Sequence, residues 1–195
     1  MEKTSLVTKL ISIGIDPGTR NGAIAIVDDN MKILYLAKAP YYSVDVKSKK
    51  VKSKLNKETG KYETTYRQRT WTDFKAMREI FLPYVKKDIL YTIEKIHAMT
   101  GEKESSSFVF GNSLGIFQGL HALLDPIEFY EPTPQEWKKE LGLGSNKSLS
   151  KDLAEEIYEV DLKDYLKKGK TDDVAEALLL AFYGLRQHYL KEGEK

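Results

Sequence analysis

A single carboxylate interrupts the first apolar run of this chain. Residues 11–27 read ISIGIDPGTRNGAIAIV, and Asp16 stands inside an otherwise strand-like pattern. Ile11, Ile13 and Ile15 share one face, and Ala23, Ala25 and Val27 follow with the same period. Gly18 and Gly22 suit a tight turn, so the segment reads as two strands of a hairpin. Burying a charge in such an element is costly unless a partner meets it. Two readings of Asp16 stand. An Asp before Pro-Gly is a turn residue; it is also what a cation bound at a strand end would require.

The rest of the chain organises around that hairpin. MKILYLAKAP (31–40) is a third strand ended by Pro40, which predicts a meander. TWTDFKAMREIFLPYV reads as a helix capped by Thr72 or Asp73, with Phe74, Met77, Ile80 and Phe81 at helical spacing. DILYTIEKI (88–96) is a strand with Glu94 near its end. Residues 106–124 read as a helix with glycines at 111, 115 and 119, a spacing that lets another helix or strand backbone approach closely. PIEFYEP is a short strand, PTPQEWKKELGL a helix with Pro near its start, and GSNKSLSKDLAEEIYEV a loop and then a helix. TDDVAEALLLAFYGLRQHYL is the final helix. Strands first and alternation afterwards predict one mixed-sheet α/β domain over residues 1–195. At 195 residues and 41% hydrophobic, the chain can bury one proper core.

Residues 41–70 differ in kind. They hold nine basic residues against three acidic ones, so the remainder of the chain is net acidic although the whole carries +2. Large apolar side chains are few. This predicts a basic arm or extended hairpin, with Lys47, Lys49, Lys50, Lys52, Lys54, Arg67 and Arg69 available to a phosphate backbone. Tyr62, Tyr66 and Trp71 either stack on unpaired bases or pack the arm onto the body. The chain has no cysteine, which excludes disulfides and thiolate metal sites and fits a reducing compartment. No apolar run reaches the ~18 residues of a membrane span, and the opening MEKTSLVTKL is too short and too charged for a signal peptide. A soluble intracellular protein, cytoplasmic and with no membrane partner, is the expectation.

Four acids fall at the ends of predicted core elements: Asp16, Glu94, and the pair Asp173 and Glu176, three apart on one helix face. Carboxylate clusters of this kind hold Mg²⁺ or Mn²⁺, and two such ions can drive phosphodiester cleavage. Each acid also has an ordinary reading, as a turn residue, a surface pair or a helix cap. Their order along the chain is what favours the joint one. Asp172 competes with Asp173; the apolar stripe Val174, Ala177, Leu178, Ala181 and Leu185 borders Asp173 more closely, which favours Asp173.

IGIDPGTRNGAIAIV resembles the opening strand-turn-strand of the RuvC family of Holliday junction resolvases. TIEKI, FYEPTPQEWKKELGLGSNKS and DDVAEALLLA resemble that family's second-acid strand, its lysine-bearing segment and its closing acidic helix, in the family's order. The resemblance implies an RNase H-like fold, a mixed five-stranded sheet flanked by helices. It implies a Mg²⁺-dependent endonuclease with two ions per active site, held by Asp16, Glu94, Asp173 and Glu176, with Mn²⁺ able to substitute. It implies a homodimer acting on four-way DNA junctions by paired symmetric nicks, with no small-molecule cofactor, and with the 106–124 helix in the dimer interface. Lys147, in the loop before a helix, then acts on the scissile-strand phosphate or on transition-state charge. Lys138 and Lys139 contact DNA, and His97 takes the place of a base-stacking aromatic. Glu176 where bacterial members have Asp, His97, and the long basic stretch make the chain look more like a bacteriophage member. The competing functions are a broader branched-DNA or flap nuclease and a catalytically silent junction-binding protein. An actin-like kinase or ATPase needs two lobes that this length does not provide.

Overall fold

The hairpin at the N-terminus forms, and its turn explains its glycines. Strand β1 (Ile11–Asp16) runs antiparallel to β2 (Ala23–Asp28), with Asp16 opposite Ala23. A Cβ on Gly22 would lie 2.2 Å from the Gly18 carbonyl oxygen, so the limbs of the turn cross too closely for any side chain there. Strand β3 (Ile33–Lys38) completes the expected meander. The computed structural model describes residues 9–18, 20–47, 54–55, 62–63, 66–95, 104–144, 147–165 and 171–194, without the side chains of 54–55, 62–63, 104–107 and 147–148.

Beyond the meander the chain leaves the main sheet and returns. Strands β4 (Tyr41–Lys47) and β7 (Tyr66–Thr72) pair antiparallel, Tyr41 opposite Thr72 and Lys47 opposite Tyr66. Between them, β5 (Lys54–Leu55) pairs with β6 (Tyr62–Glu63). The basic stretch is therefore built on a two-stranded hairpin. Its root is anchored: Thr72 Oγ1 lies 3.3 Å from Ser113 Oγ, and the Trp71 ring meets Phe108 edge-on at 6.4 Å. Trp71 thus packs the arm onto the body, whereas Tyr66 is 65% exposed. Trp71 and Thr72 are strand residues rather than the start of a helix. Helix α1 (Phe74–Phe81) begins after them, with Asp73 as its N-cap accepting from the Ala76 N–H at 3.0 Å.

Strand β8 (Ile89–Ile93) returns to lie parallel to β1, and β9 (Glu128–Tyr130) lies parallel to β8. The order β3-β2-β1-β8-β9 makes a mixed five-stranded sheet. Helix α2 (Glu104–Leu124) joins β8 to β9, and α3 (Pro134–Glu140), α4 (Lys147–Tyr158) and α5 (Asp172–Gly193) follow.

Both faces of β1 are buried. Ile11, Ile13 and Ile15 join Ile24, Ile26 and β8 residues against α1 and α2, through Met77, Phe81 and Phe117. Ala23, Ala25 and Val27 point the other way, into a core with Trp137, Ala154 and the inner face of α5. The two apolar sets of the opening segment thus serve opposite layers. On the α5 side β1 is small by necessity. A Cβ at Gly14 would lie 2.1 Å from the Ala177 carbonyl oxygen, and one at Gly184 would lie 2.4 Å from Thr92 Oγ1. Ser12 Oγ donates to the Ala181 carbonyl at 2.7 Å. Helix α5 therefore lies almost backbone-to-backbone on the sheet, and its first turn is held over the end of β1.

The glycines of α2 behave differently from the expectation. Nothing described lies within 4 Å of a Cβ built at Gly111, Gly115 or Gly119. They open onto a groove of about 540 Å³ shared with Phe74 and Met77 of α1. No element of the described chain makes the close approach that their spacing permits.

Candidate active site

Parallel pairing brings the first two acids together. Because β1 and β8 run the same way, their C-terminal ends lie side by side, and the Glu94 N–H continues the ladder to the Ile15 carbonyl at 3.0 Å. Asp16 ends β1, and Glu94 follows the last residue of β8. The close contact of α5 with β1 adds Asp173 and Glu176 from above. All four acids line one cleft of about 400 Å³, with Arg20 and Phe110 beside them. Asp172 is the first residue of α5 and is not among the residues lining it.

The neighbours of these acids are ordered. Trp137 is fully buried and donates its Nε1–H to Glu94 Oε1 at 2.9 Å. Its helix is fixed by a capping box, in which Thr133 and Glu136 satisfy each other's backbone N–H groups. Lys138, on the next position, reaches Glu176 Oε1 at 2.6 Å. Lys38, from β3, reaches Asp173 Oδ2 at 2.9 Å. Asp16 has the least comfortable position. Burial pushes its carboxyl well above the usual range, and the charges of Glu94, Glu176 and Asp173 push it further, with Lys138 opposing.

Arg20 sits on the turn after Asp16 and lines the same cleft. Its Nε–H donates to Thr70 Oγ1 of β7 at 2.7 Å, which ties the cleft to the root of the basic hairpin.

The donor set is one of carboxylate oxygens, which suits a hard divalent cation. As they stand, no three acids or histidines among the described residues are grouped closely enough to hold a metal ion. Of the cations around the cleft, Lys38 and Lys138 pair with two of its acids, and Arg20 lines it. Four carboxylates lining one cleft are nonetheless the oxygen donors that a hard divalent cation takes, so the residue types fit such an ion.

The other predicted residues are dispersed. Lys47 is exposed at the end of β4, Arg67 is exposed on β7, and Arg69 is half-buried there. Lys138 is drawn into the cleft, whereas Lys139 is exposed on α3. Lys147 is the first residue of α4 rather than a loop residue before it, and its side chain lies outside the described residues. So do Lys49, Lys50, Lys52 and His97, and the side chain of Lys54. Sequence reasoning did not single out Lys38, Trp137, Arg20 or Phe110 as parts of the cleft. Only Trp137 left a usable trace, as an apolar residue next to Lys138 in the lysine-bearing segment.

A mixed sheet in this order with helices on both faces is the RNase H-like fold. RuvC of T. thermophilus, solved in complex with a Holliday junction substrate, matches this chain with a TM-score of 0.54, over 94% of this chain and 96% of that one. Identity between the two is 13%, so the likeness is one of RuvC-like fold. No family model and no curated protein sequence matches the chain.

Proposed function

We propose that this protein is a divalent-metal-dependent endonuclease that resolves four-way DNA junctions. The observation that carries the reading is the convergence of Asp16, Glu94, Asp173 and Glu176 on one cleft of a RuvC-like fold. These four acids would hold two Mg²⁺ ions, with Mn²⁺ as a substitute. Bound there, the ions supply an activated water and stabilise the leaving oxygen of a cut phosphodiester. Trp137 keeps Glu94 turned toward the cleft. Lys38 and Lys138 pair with Asp173 and Glu176 and so neutralise part of the acidic charge that bound cations would otherwise neutralise. Lys138, beside Glu176, would contact a phosphate of the bound strand, and Lys147 would act on the scissile phosphate as the family resemblance implies. The basic hairpin, from Lys47 through Arg67 and Arg69, and Lys139 would track the DNA backbone.

A junction has near two-fold symmetry, so paired nicks call for two copies related by a two-fold axis. The open glycine groove of α2 is where we place the second copy. A Gly115→Leu variant would fill that groove and should sediment as a monomer where the wild type sediments as a dimer. We place the protein in a bacterial cytoplasm, as a phage-type member of its family.

The test is to incubate the protein and Asp16→Asn with a labelled four-way junction, a flap and a linear duplex in Mg²⁺. Paired nicks at the junction alone, lost in Asp16→Asn, are expected. Equal cutting of flaps and junctions would replace the resolvase by a general branch nuclease. Tight junction binding without cutting in Mg²⁺ or Mn²⁺ would leave a binding protein.

A further inference from the structure

Three cationic side chains stand in or beside the acidic cleft, and they behave differently. Lys38 and Lys138 are each paired with a carboxylate. Arg20 lines the cleft with all four acids, yet among the described residues it makes no ion pair. Lys138 is the cation whose charge reaches Asp16. If neutralising the acids were the task of Arg20, it should pair as the lysines do.

Instead Arg20 is held from behind. Its Nε–H is spent on Thr70 Oγ1, and that hydroxyl is itself anchored, 3.3 Å from Ser43 Oγ across the β4–β7 ladder. A guanidinium carries five N–H donors in a rigid plane. Fixing Nε leaves the two terminal nitrogens as a fork, and that fork matches the oxygens of a phosphate in a way a lysine ammonium cannot. Thr70 is buried at the root of the hairpin, so the tether is set by the fold and not by a mobile surface group. The turn that carries Arg20 is equally constrained, because Gly18 and Gly22 leave no room within it.

We infer that Arg20 binds a backbone phosphate of the DNA strand entering the cleft, and that Thr70 is the positioning residue that aims it. The pair makes the basic hairpin and the acidic cleft one continuous track: the hairpin holds the strand, and Arg20 sets where along it the acids act. This rests on the nuclease reading above, and its test separates the two.

Wild type, Arg20→Ala, Arg20→Lys and Thr70→Val are compared by three measurements. Junction affinity is followed by fluorescence anisotropy in Ca²⁺ between 50 and 200 mM salt, about the range over which counterion release is read. Single-turnover cutting is followed in Mg²⁺, and thermal stability without DNA. Loss of one phosphate contact should lower the slope of log affinity against log salt by about 0.9 in Arg20→Ala, with cutting slowed about 10–100-fold through misplacement of the strand. Arg20→Lys should keep the slope and recover only part of the rate. Thr70→Val should keep the slope and slow cutting, because the charge remains and its aim is lost. An unchanged slope in Arg20→Ala would overturn the inference. So would equal losses of stability in Arg20→Ala, Arg20→Lys and Thr70→Val with no change in slope, which would make the pair a structural pin. A wild type that binds junctions without cutting them would sink the nuclease reading while the slope still decides Arg20. A wild type that binds no junction would overturn both.

Discussion

Each end of helix α5 meets carboxylates from the sheet, within a group of four acids at its N-terminal end and as the single Glu128 at its C-terminal end, and the two sites are built on opposite principles. At its N-terminal end Asp173 and Glu176 crowd Asp16 and Glu94, and Asp16 is pushed up first by burial and then by its acidic neighbours. At its C-terminal end, about 20 Å along the axis, His188 and Lys191 surround Glu128 of β9, with Nδ1 at 2.6 Å and Nζ at 2.8 Å, and Tyr130 adds its hydroxyl. Burial alone would raise the Glu128 carboxyl, but those three hydrogen bonds and the Lys191 charge outweigh it and bring it down to about 2. One site satisfies its carboxylate, and the other frustrates it. Frustrated titratable groups in a cleft mark chemistry, while satisfied ones at a sheet edge mark architecture.

The contrast is sharpest in Asp16→Asn. Cutting should fall by about 10³-fold or more, as when a group that acts as part of a catalytic unit is removed. The same change should stabilise the fold. The folded-state Asp16 carboxyl lies above its ordinary 3.8, so ionisation at neutral pH costs stability, and that cost disappears as pH falls below 3.8. Melting temperature should therefore rise at pH 7, by about 2–4 °C per kcal/mol recovered, and the gain should vanish in acid. A lower melting temperature at pH 7 would break the comparison.

Divalent cations should act on one end only. Mg²⁺ at a hundredfold excess over its dissociation constant should stabilise the wild type by about 2.7 kcal/mol, and Asp16→Asn much less. Calorimetry without DNA reads this independently of activity.

Glu128→Gln should do the reverse of Asp16→Asn. Cutting should not change, but stability at pH 7 should drop by about 1–3 kcal/mol, allowing for solvent around Lys191. Because the folded-state Glu128 carboxyl lies below its ordinary 4.5, its contribution is complete above that pH and drains away as pH falls through about 2. Urea titrations at pH 7, 4 and 2.5 should show the gap between wild type and variant closing.

The smallest effect expected is that of Trp137→Phe. It keeps most of the buried ring and removes the Nε1–H bond to Glu94, worth about 1 kcal/mol. Cutting should slow several-fold while junction binding holds.

Local pattern alone made much of this molecule legible. The alternation of residues 11–27 and its glycines announced two strands and a tight turn, because strand period and turn chemistry act over a few residues. The stripe on the last helix from Val174 to Leu185 announced its buried face and put Asp173 and Glu176 beside it, since helical spacing is also local. What the sequence could not contain is the pairing of β1 with β8, separated by more than 70 residues. That parallel register brings Glu94 to Asp16, and it depends on which edge of the hairpin β8 meets after the basic arm has been looped out. The cleft's cations were hidden for the same reason. Lys38 looks like any strand-end lysine, and Arg20 like any turn arginine, until β3, α5 and β7 are packed around them. Local pattern gives Gly14 and Gly184 no role of their own. Only the packed sheet reveals that they are the contact that lowers the acids of α5 onto Asp16, because a close backbone approach is a property of two elements and is written in neither one alone.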